Sequence, residues 1–185
     1  MLPIVLDSDQ ISVLLVGAGP LVERRYQLLK AAGVADLTVF AVGPDVEIAA
    51  RIEGALSRMP TPADLEGIAV LFIAGLDREL AVPLVADARA RGVLVNTEDD
   101  RALCDFHVPA SVRRGDLLFT VSTGGASPGL ARRLRKHIEA QFGEEWDARV
   151  SELSAQRTKW REEGLDIKSI AEKSDAWIDS KGWLK

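Results

Sequence analysis

Apolar positions in the first hundred residues fall into short, nearly unbroken runs separated by segments of helical period. Ile11-Ser12-Val13-Leu14-Leu15-Val16 is the first run, and it ends in Gly17-Ala18-Gly19, the pattern of a buried strand entering a tight turn. Pro20 follows where a first helical turn tolerates proline. Leu21, Arg24, Arg25, Leu28 and Leu29 then recur at helical spacing, and Gly33 closes the helix. Leu37–Val42 predicts a second strand, Val46–Leu56 a second helix, and Ile68–Ala74 a third strand ending at Gly75. Leu80–Arg91 predicts a helix stopped by Gly92, and Val93–Asn96 a fourth strand. Strands alternating with such helices predict βαβ units around a parallel sheet. The unbroken apolar character of the strands predicts burial on both faces.

After Asn96 the pattern changes. Leu117–Ser122 predicts a further strand, which enters a second glycine loop, Thr123-Gly124-Gly125-Ala126-Ser127-Pro128. Ser127 is placed to cap the next helix ahead of Pro128. That helix carries Leu130, Leu134, Ile138 and Phe142 on one stripe, with Arg132, Arg133, Arg135 and Lys136 elsewhere. All four tryptophans, Trp146, Trp160, Trp177 and Trp183, lie beyond Gly143. Trp146, Val150 and Leu153 have helical spacing, which predicts a helical tail packed on its own body or on a partner. The chain therefore divides into three sections, 1–112, 113–143 and 144–185.

The length of 185 residues, with 47% hydrophobic and 28% charged, is that of a soluble chain long enough for a sizeable core. The single cysteine, Cys104, excludes an internal disulfide and fits a reducing, cytoplasmic setting. Ile11–Val22 is too short, and too broken by Gly17, Gly19 and Pro20, to span a bilayer. The first residues lack the basic stretch of a signal peptide. A net charge of −5 argues against a nucleic-acid partner. Charge is uneven, however: Arg113, Arg114, Arg132, Arg133, Arg135 and Lys136 face one acid, Asp116, between Arg113 and His137. Such an island suits an anionic ligand or is a solvated helix face. No Cys/His cluster has metal-ligand spacing, so no permanent metal site is expected. His107 and Cys104 read as packed residues, His137 as a surface residue, and Trp146 and Trp160 as packing residues.

The first glycine loop has the form G-x-G-x-x-V, between a strand and a helix. In such a loop the first glycine permits the sharp turn, and the second lets backbone approach a pyrophosphate. The pyrophosphate then rests on the helix N-terminus. The candidate cofactor-binding residues are Gly17, Ala18, Gly19, Pro20, Leu21, Val22 and Ala41. No acid ends the second strand; Asp36 starts it and Asp45 lies beyond it. The choice between NAD and NADP is therefore open, as is a bare βα turn in a domain that binds no nucleotide.

Several stretches occur in a familiar order. They are Leu2-Pro3-Ile4-Val5-Leu6, Val16-Gly17-Ala18-Gly19, Val95-Asn96-Thr97-Glu98-Asp99-Asp100, Cys104-Asp105-Phe106-His107-Val108-Pro109-Ala110 and Ser122-Thr123-Gly124-Gly125-Ala126-Ser127-Pro128. Over residues 2–142 the chain resembles the N-terminal part of siroheme synthase and its free-standing relatives, the precorrin-2 dehydrogenase / sirohydrochlorin ferrochelatase family. The resemblance implies an α/β fold, a Rossmann-like parallel sheet (1–112) followed by a dimerisation and tetrapyrrole-binding segment (113–143); the helical C-terminal tail (144–185) has no close match in the family. It implies NAD-dependent oxidation of precorrin-2 to sirohydrochlorin, in some members followed by ferrous iron insertion, in a cytoplasmic homodimer. Asp99 falls at the position of the family's catalytic aspartate. Without the resemblance Asp99 and Asp100 read as ordinary loop acids; with it, Asp99 follows a strand's carboxyl end, where ligands bind open α/β sheets, and is the candidate general base.

A polycarboxylate tetrapyrrole needs cations and oriented N–H donors. The candidate substrate-binding residues are Asn96, Thr123, Gly124, Gly125, Ser127, Arg132 and Arg133. Two places depart from the family: Ala74-Gly75-Leu76-Asp77, where relatives commonly carry Ala-Thr-Asp-Asp, and Thr97-Glu98, where relatives are usually apolar. No methyltransferase domain follows in this sequence, so a free-standing form is expected. The competing functions are a chelatase without dehydrogenase action, an inactive tetrapyrrole-binding paralogue, and a nucleotide-sensing regulatory module. The last usually keeps an acid after the second strand and gives no reason for the second glycine loop.

Overall fold

A computed structural model describes residues 2–43 and 46–184. Asp45, the acid noted beyond the second strand, lies outside the described residues. The chain divides into two compact units, Met1–His107 and Val108–Lys185.

The first unit runs β1 (Ser12–Gly17), α1 (Gly19–Ala31), β2 (Asp36–Ala41), α2 (Val46–Ala50), β3 (Val70–Ala74), α3 (Arg78–Ala90) and β4 (Leu94–Thr97). All pairings are parallel, in the order β2-β1-β3-β4. Because side chains alternate across a strand, each strand feeds two cores. Val13 and Leu15 of β1 join Val39, Phe72 and Val22, Tyr26 and Leu29 of α1 on one face. Leu14 and Val16 join Phe40, Leu71 and Ala81, Leu84, Val85 and Ala88 of α3 on the other. Burial on both faces is what the unbroken apolar runs require. The chain order reverses between β1 and β3, and this switch point opens a crevice at the carboxyl ends of the strands.

The helix expected over 46–56 is a single turn ending at Ala50. Gly54 has φ +73°, and Leu56 returns to the sheet in a parallel bridge with Phe40. Leu56 N donates to Val39 O at 2.9 Å, and Leu56 O accepts from Ala41 N at 3.1 Å. The open edge of β2 offers unpaired backbone groups, and pairing with them overrides the local helical pattern. Beside this edge, Arg58 and Thr61 donate to the Asp64 carboxylate, and these bonds hold it well below the usual carboxylate range.

The second unit opens with a hairpin absent from the sequence reading: β5 (Ala110–Arg114) pairs antiparallel with β6 (Leu117–Val121). Its turn, Gly115-Asp116, has Gly115 at φ +56°, a type of two-residue link that favours glycine first. Helices α4 (Pro128–Gln141), α5 (Glu145–Glu162) and α6 (Ile167–Lys181) follow. A chain of ring contacts runs from Phe119 through Phe142 and Trp146 to Trp183, and Trp160 meets Trp177 edge-on. The tail thus packs within its own unit. His137 is exposed as expected, but so is His107, whose packed reading is corrected.

Candidate functional site

The first glycine loop sits at the carboxyl end of β1. A Cβ on Gly17 would stand 2.0 Å from the Ala74 carbonyl oxygen of β3. Gly17 is therefore required by strand-to-strand approach rather than by turn angle, a correction to the expected role. Ala18 N donates to Ala74 O at 3.0 Å, and Val42 N donates to Gly17 O at 2.8 Å. These bonds tie the loop to both neighbouring strands. Gly19 lies at φ +60°, and a Cβ there would meet nothing within 4 Å, so its backbone borders open space. The N-cap, Ala18, offers no side-chain acceptor, and the first turn of α1 holds no acid. Pro20 has no N–H to lose, and Val22 N–H is spent in the first bond of the helix, which leaves the N–H groups of Gly19 and Leu21 for an external acceptor.

Val22, standing where a third glycine is usual, is fully buried against the sheet; its side chain fills the core and its N–H bonds within α1, which corrects the expectation that it touches the cofactor. Ala41 ends β2, also buried. Gly75, expected to end the third strand and noted as a departure from the family, has φ +73°, and a Cβ there would lie 2.4 Å from Ala18 O. The departure thus supplies the clearance under the loop. Uncapped N–H groups, a bare left-handed glycine and glycine clearance all fit a dinucleotide pyrophosphate.

At the same edge, β4 runs into Glu98-Asp99-Asp100. Asp99 is the sole non-glycine residue at positive φ among the described residues, at +62°, and it is exposed. Aspartate tolerates this region better than most residues, yet the conformation still costs about 1–2 kcal/mol. Both flanking acids are anchored. Glu98 forms ion pairs with Arg24 and Arg25 of α1, and Asp100 pairs with Arg78 of α3 and accepts from Ala102 N at 3.2 Å. Among the described residues the Asp99 carboxylate has no such partner. None of the four anchoring residues, Glu98, Arg24, Arg25 and Arg78, was singled out from the sequence as functional.

Asn96, expected in the substrate site, is buried. Its Nδ2 donates to Phe106 O at 3.0 Å and approaches Cys104 Sγ at 3.7 Å. The amide is therefore turned inward, pinning the loop after Asp99. Cys104 Sγ accepts from Thr97 N at 3.3 Å and donates toward Thr97 O at 3.1 Å, so the thiol is a strut of the same loop.

In the second unit, Gly124 and Gly125 lie at φ +64° and +82°. Thr123 Oγ1 accepts from Ser127 N at 3.1 Å, and Ala126 N donates to Thr123 O at 3.0 Å. Ser127 Oγ accepts from Leu130 N at 3.2 Å, the cap expected from the Ser-Pro pair. Consecutive left-handed glycines before a helix start make a concavity of N–H groups suited to an anion. The basic island divides. Arg114 is buried and donates to the carbonyls of Phe142, Arg113 and Glu139, and Arg135 pairs with Glu139. Arg113, Arg132, Arg133 and Lys136 are exposed, with no ion pair among the described residues. No group of three or more His, Cys, Asp or Glu side chains is placed to hold a metal among the described residues.

A parallel sheet with a switch point, a glycine turn into an uncapped helix and an acid at the same edge define a dinucleotide-binding domain of Rossmann type. Residues 4–110 match the family described as "Putative NAD(P)-binding", and residues 114–141 match "Sirohaem biosynthesis protein central". The first match takes in more than half of the chain, which belongs to this NAD(P)-binding family, and the second adds a sirohaem biosynthesis segment after it. The chain is 39% identical over 142 residues to siroheme synthase of Methylococcus capsulatus, covering 75% of this chain and 30% of that protein. It is 36% identical over 176 residues to siroheme synthase of Chromobacterium violaceum, covering 85% and 37%. The chain thus spans about a third of the length of these curated relatives. A solved structure, "SirC, precorrin-2 dehydrogenase", superposes with a TM-score of 0.74 over 100% of this chain and 93% of that one at 21% identity, so the fold is shared throughout.

Proposed function

We propose that the protein catalyses NAD-dependent dehydrogenation of precorrin-2 to sirohydrochlorin, with Asp99 as general base. The observation that carries the reading is the exposed, unpaired carboxylate of Asp99 on a left-handed backbone, at the same sheet edge as the dinucleotide loop. Backbone held in a sparsely populated region is a mark of functional sites. The solved structure is named for the same reaction, and the relatives' names are those of siroheme synthases.

The Gly17–Val22 loop would hold the pyrophosphate through the free N–H groups of Gly19 and Leu21, with Ala41 bordering the adenosine side. Bound NAD supplies the hydride acceptor. Asp99 takes the proton released as the substrate loses its hydride, giving sirohydrochlorin, NADH and one proton. The Thr123–Ser127 loop with Arg132 and Arg133 would hold carboxylates of the macrocycle by charge-assisted bonds. Asn96 serves indirectly, by bracing the loop beyond Asp99. The second unit supplies the homodimer contact, and the reaction belongs in the cytoplasm, in keeping with the free thiol of Cys104. No helix among the described residues is long and apolar enough to cross a membrane.

The test is an anaerobic assay of precorrin-2 with NAD, following sirohydrochlorin and NADH absorbance together. Equal formation of both, and a loss of about a hundredfold or more in kcat for Asp99→Asn, is expected. Tetrapyrrole binding without NADH formation would instead favour a chelatase or carrier.

A further inference from the structure

A carboxylate on left-handed backbone holds its place only where its surroundings over-determine it. Downstream, Asp100 does this through Arg78 and the Ala102 N–H. Upstream the anchor is less ordinary. Glu98 N donates to Ile73 O at 2.8 Å, so the β3–β4 ladder continues to the residue before Asp99. Its side chain is 8% exposed and lies between two guanidinium groups of α1, Arg24 at 72% exposure and Arg25 at 12%.

Arg25 also lies over the Phe72 ring at 5.3 Å, which fixes its position. Glu98 Oε1 accepts from Arg24. Oε2 sits 3.5 Å from Arg25 as an ion pair but is buried without a hydrogen bond among the described residues. A buried, partly satisfied carboxylate is a poor device for stability, since apolar replacement of such pairs is often neutral or stabilising. It does, however, join two functional elements: α1, which begins at the dinucleotide loop, and the turn that carries Asp99.

We propose that Glu98 is a positioning residue: by engaging Arg24 and Arg25 it locks the Asp99 turn to the helix that bears the dinucleotide loop. The proposal rests on Asp99 acting as the base of the reaction above. Because the lock acts on a charge placed beside the reacting atoms, its loss lowers turnover rather than cofactor affinity. Misplacement of a reacting group by about an ångström can cost about a hundredfold in rate.

The experiment compares wild type with Glu98→Gln, Arg24→Gln, Asp99→Asn and the Glu98→Gln/Asp99→Asn double variant, using the full chain. It measures kcat, KM for precorrin-2 and NAD, NAD affinity by fluorescence titration, and the unfolding midpoint. Glu98→Gln is expected to lower kcat about tenfold to a hundredfold, with KM and NAD affinity within about twofold of wild type. The double variant is expected to be no slower than Asp99→Asn, because residues acting as a unit lose their effect together. Unchanged kcat, multiplicative losses in the double variant, or a kcat loss matched by equal loss of NAD affinity would overturn the proposal. If Glu98→Gln fails to fold, Arg24→Gln, altered at an exposed side chain, is read by the same criteria. Normal turnover by Asp99→Asn overturns the assignment of the base itself. Normal turnover by Glu98→Gln beside an inactive Asp99→Asn overturns the positioning role alone.

Discussion

Gly17 and Gly19 stand two residues apart in one loop and do different physical work. Gly17 is closed in by the Ala74 carbonyl, 2.0 Å from where a Cβ would be, whereas Gly19 faces open space at φ +60°. Gly17→Ala must push β1 and β3 apart and is expected to destabilise the fold by about 3 kcal/mol or more. Gly19→Ala costs about 1–2 kcal/mol of backbone strain but adds a methyl where the pyrophosphate would lie. The expected result is an unfolded or poorly folded Gly17→Ala and a folded Gly19→Ala with weakened NAD binding, read by urea denaturation and fluorescence titration. The loop was legible as a motif because spacing and glycine identity are properties of the chain. The division of roles was not, because the Ala74 carbonyl is brought to Gly17 from more than fifty residues away by β1–β3 pairing.

Among the elements, α4 shows how far local pattern reaches. Its start was legible: Ser127 caps Leu130 N, and Pro128 enters the first turn. Its end is held by a residue from another element. The Arg114 guanidinium, on β5, donates to the Phe142 carbonyl at 2.9 Å and the Glu139 carbonyl at 3.4 Å, where a cation suits the free carbonyls and dipole of a helix C-terminus. From sequence, Arg114 belonged to a positive island; packing makes it a C-terminal clamp. Arg114→Ala is expected to lower stability by about 2–3 kcal/mol while leaving tetrapyrrole affinity nearly unchanged in a folded sample. Arg132→Glu/Arg133→Glu should do the reverse, weakening tetrapyrrole binding far more than NAD binding. Denaturation and binding titrations on the two variants separate these outcomes. The hairpin β5–β6 has a turn signal in Gly115-Asp116, but its first strand, Ala110–Arg114, carries two arginines and lacks the apolar run that marks the buried strands.

At the scale of the whole molecule, the first unit buries a core on both sides of its sheet, while α4 has no buried residue. Leu130 and Leu134, on the stripe read from sequence, are 50% and 41% exposed. An amphipathic face left open in this way is what the proposed homodimer would cover. Leu130→Asp/Leu134→Asp is expected to shift the protein from dimer to monomer in sedimentation velocity, with NAD affinity of the first unit retained. A wild-type monomer at micromolar concentration would remove the dimer from the proposal.

The sequence by itself determined the strands of the parallel sheet, most of their helices, both glycine loops and the cap of α4. Each depends on local periodicity, turn chemistry or a motif of fixed spacing. Tertiary structure alone decided that the helix begun at Val46 stops at Ala50 so that Leu56 can pair with the edge of β2, that Asn96 faces inward, that Arg114 is a clamp, and that Glu98 binds α1 beside Asp99. These outcomes depend on which backbone groups and charges meet across long stretches of chain, and burial changes the energetic meaning of a polar side chain only after that meeting has occurred.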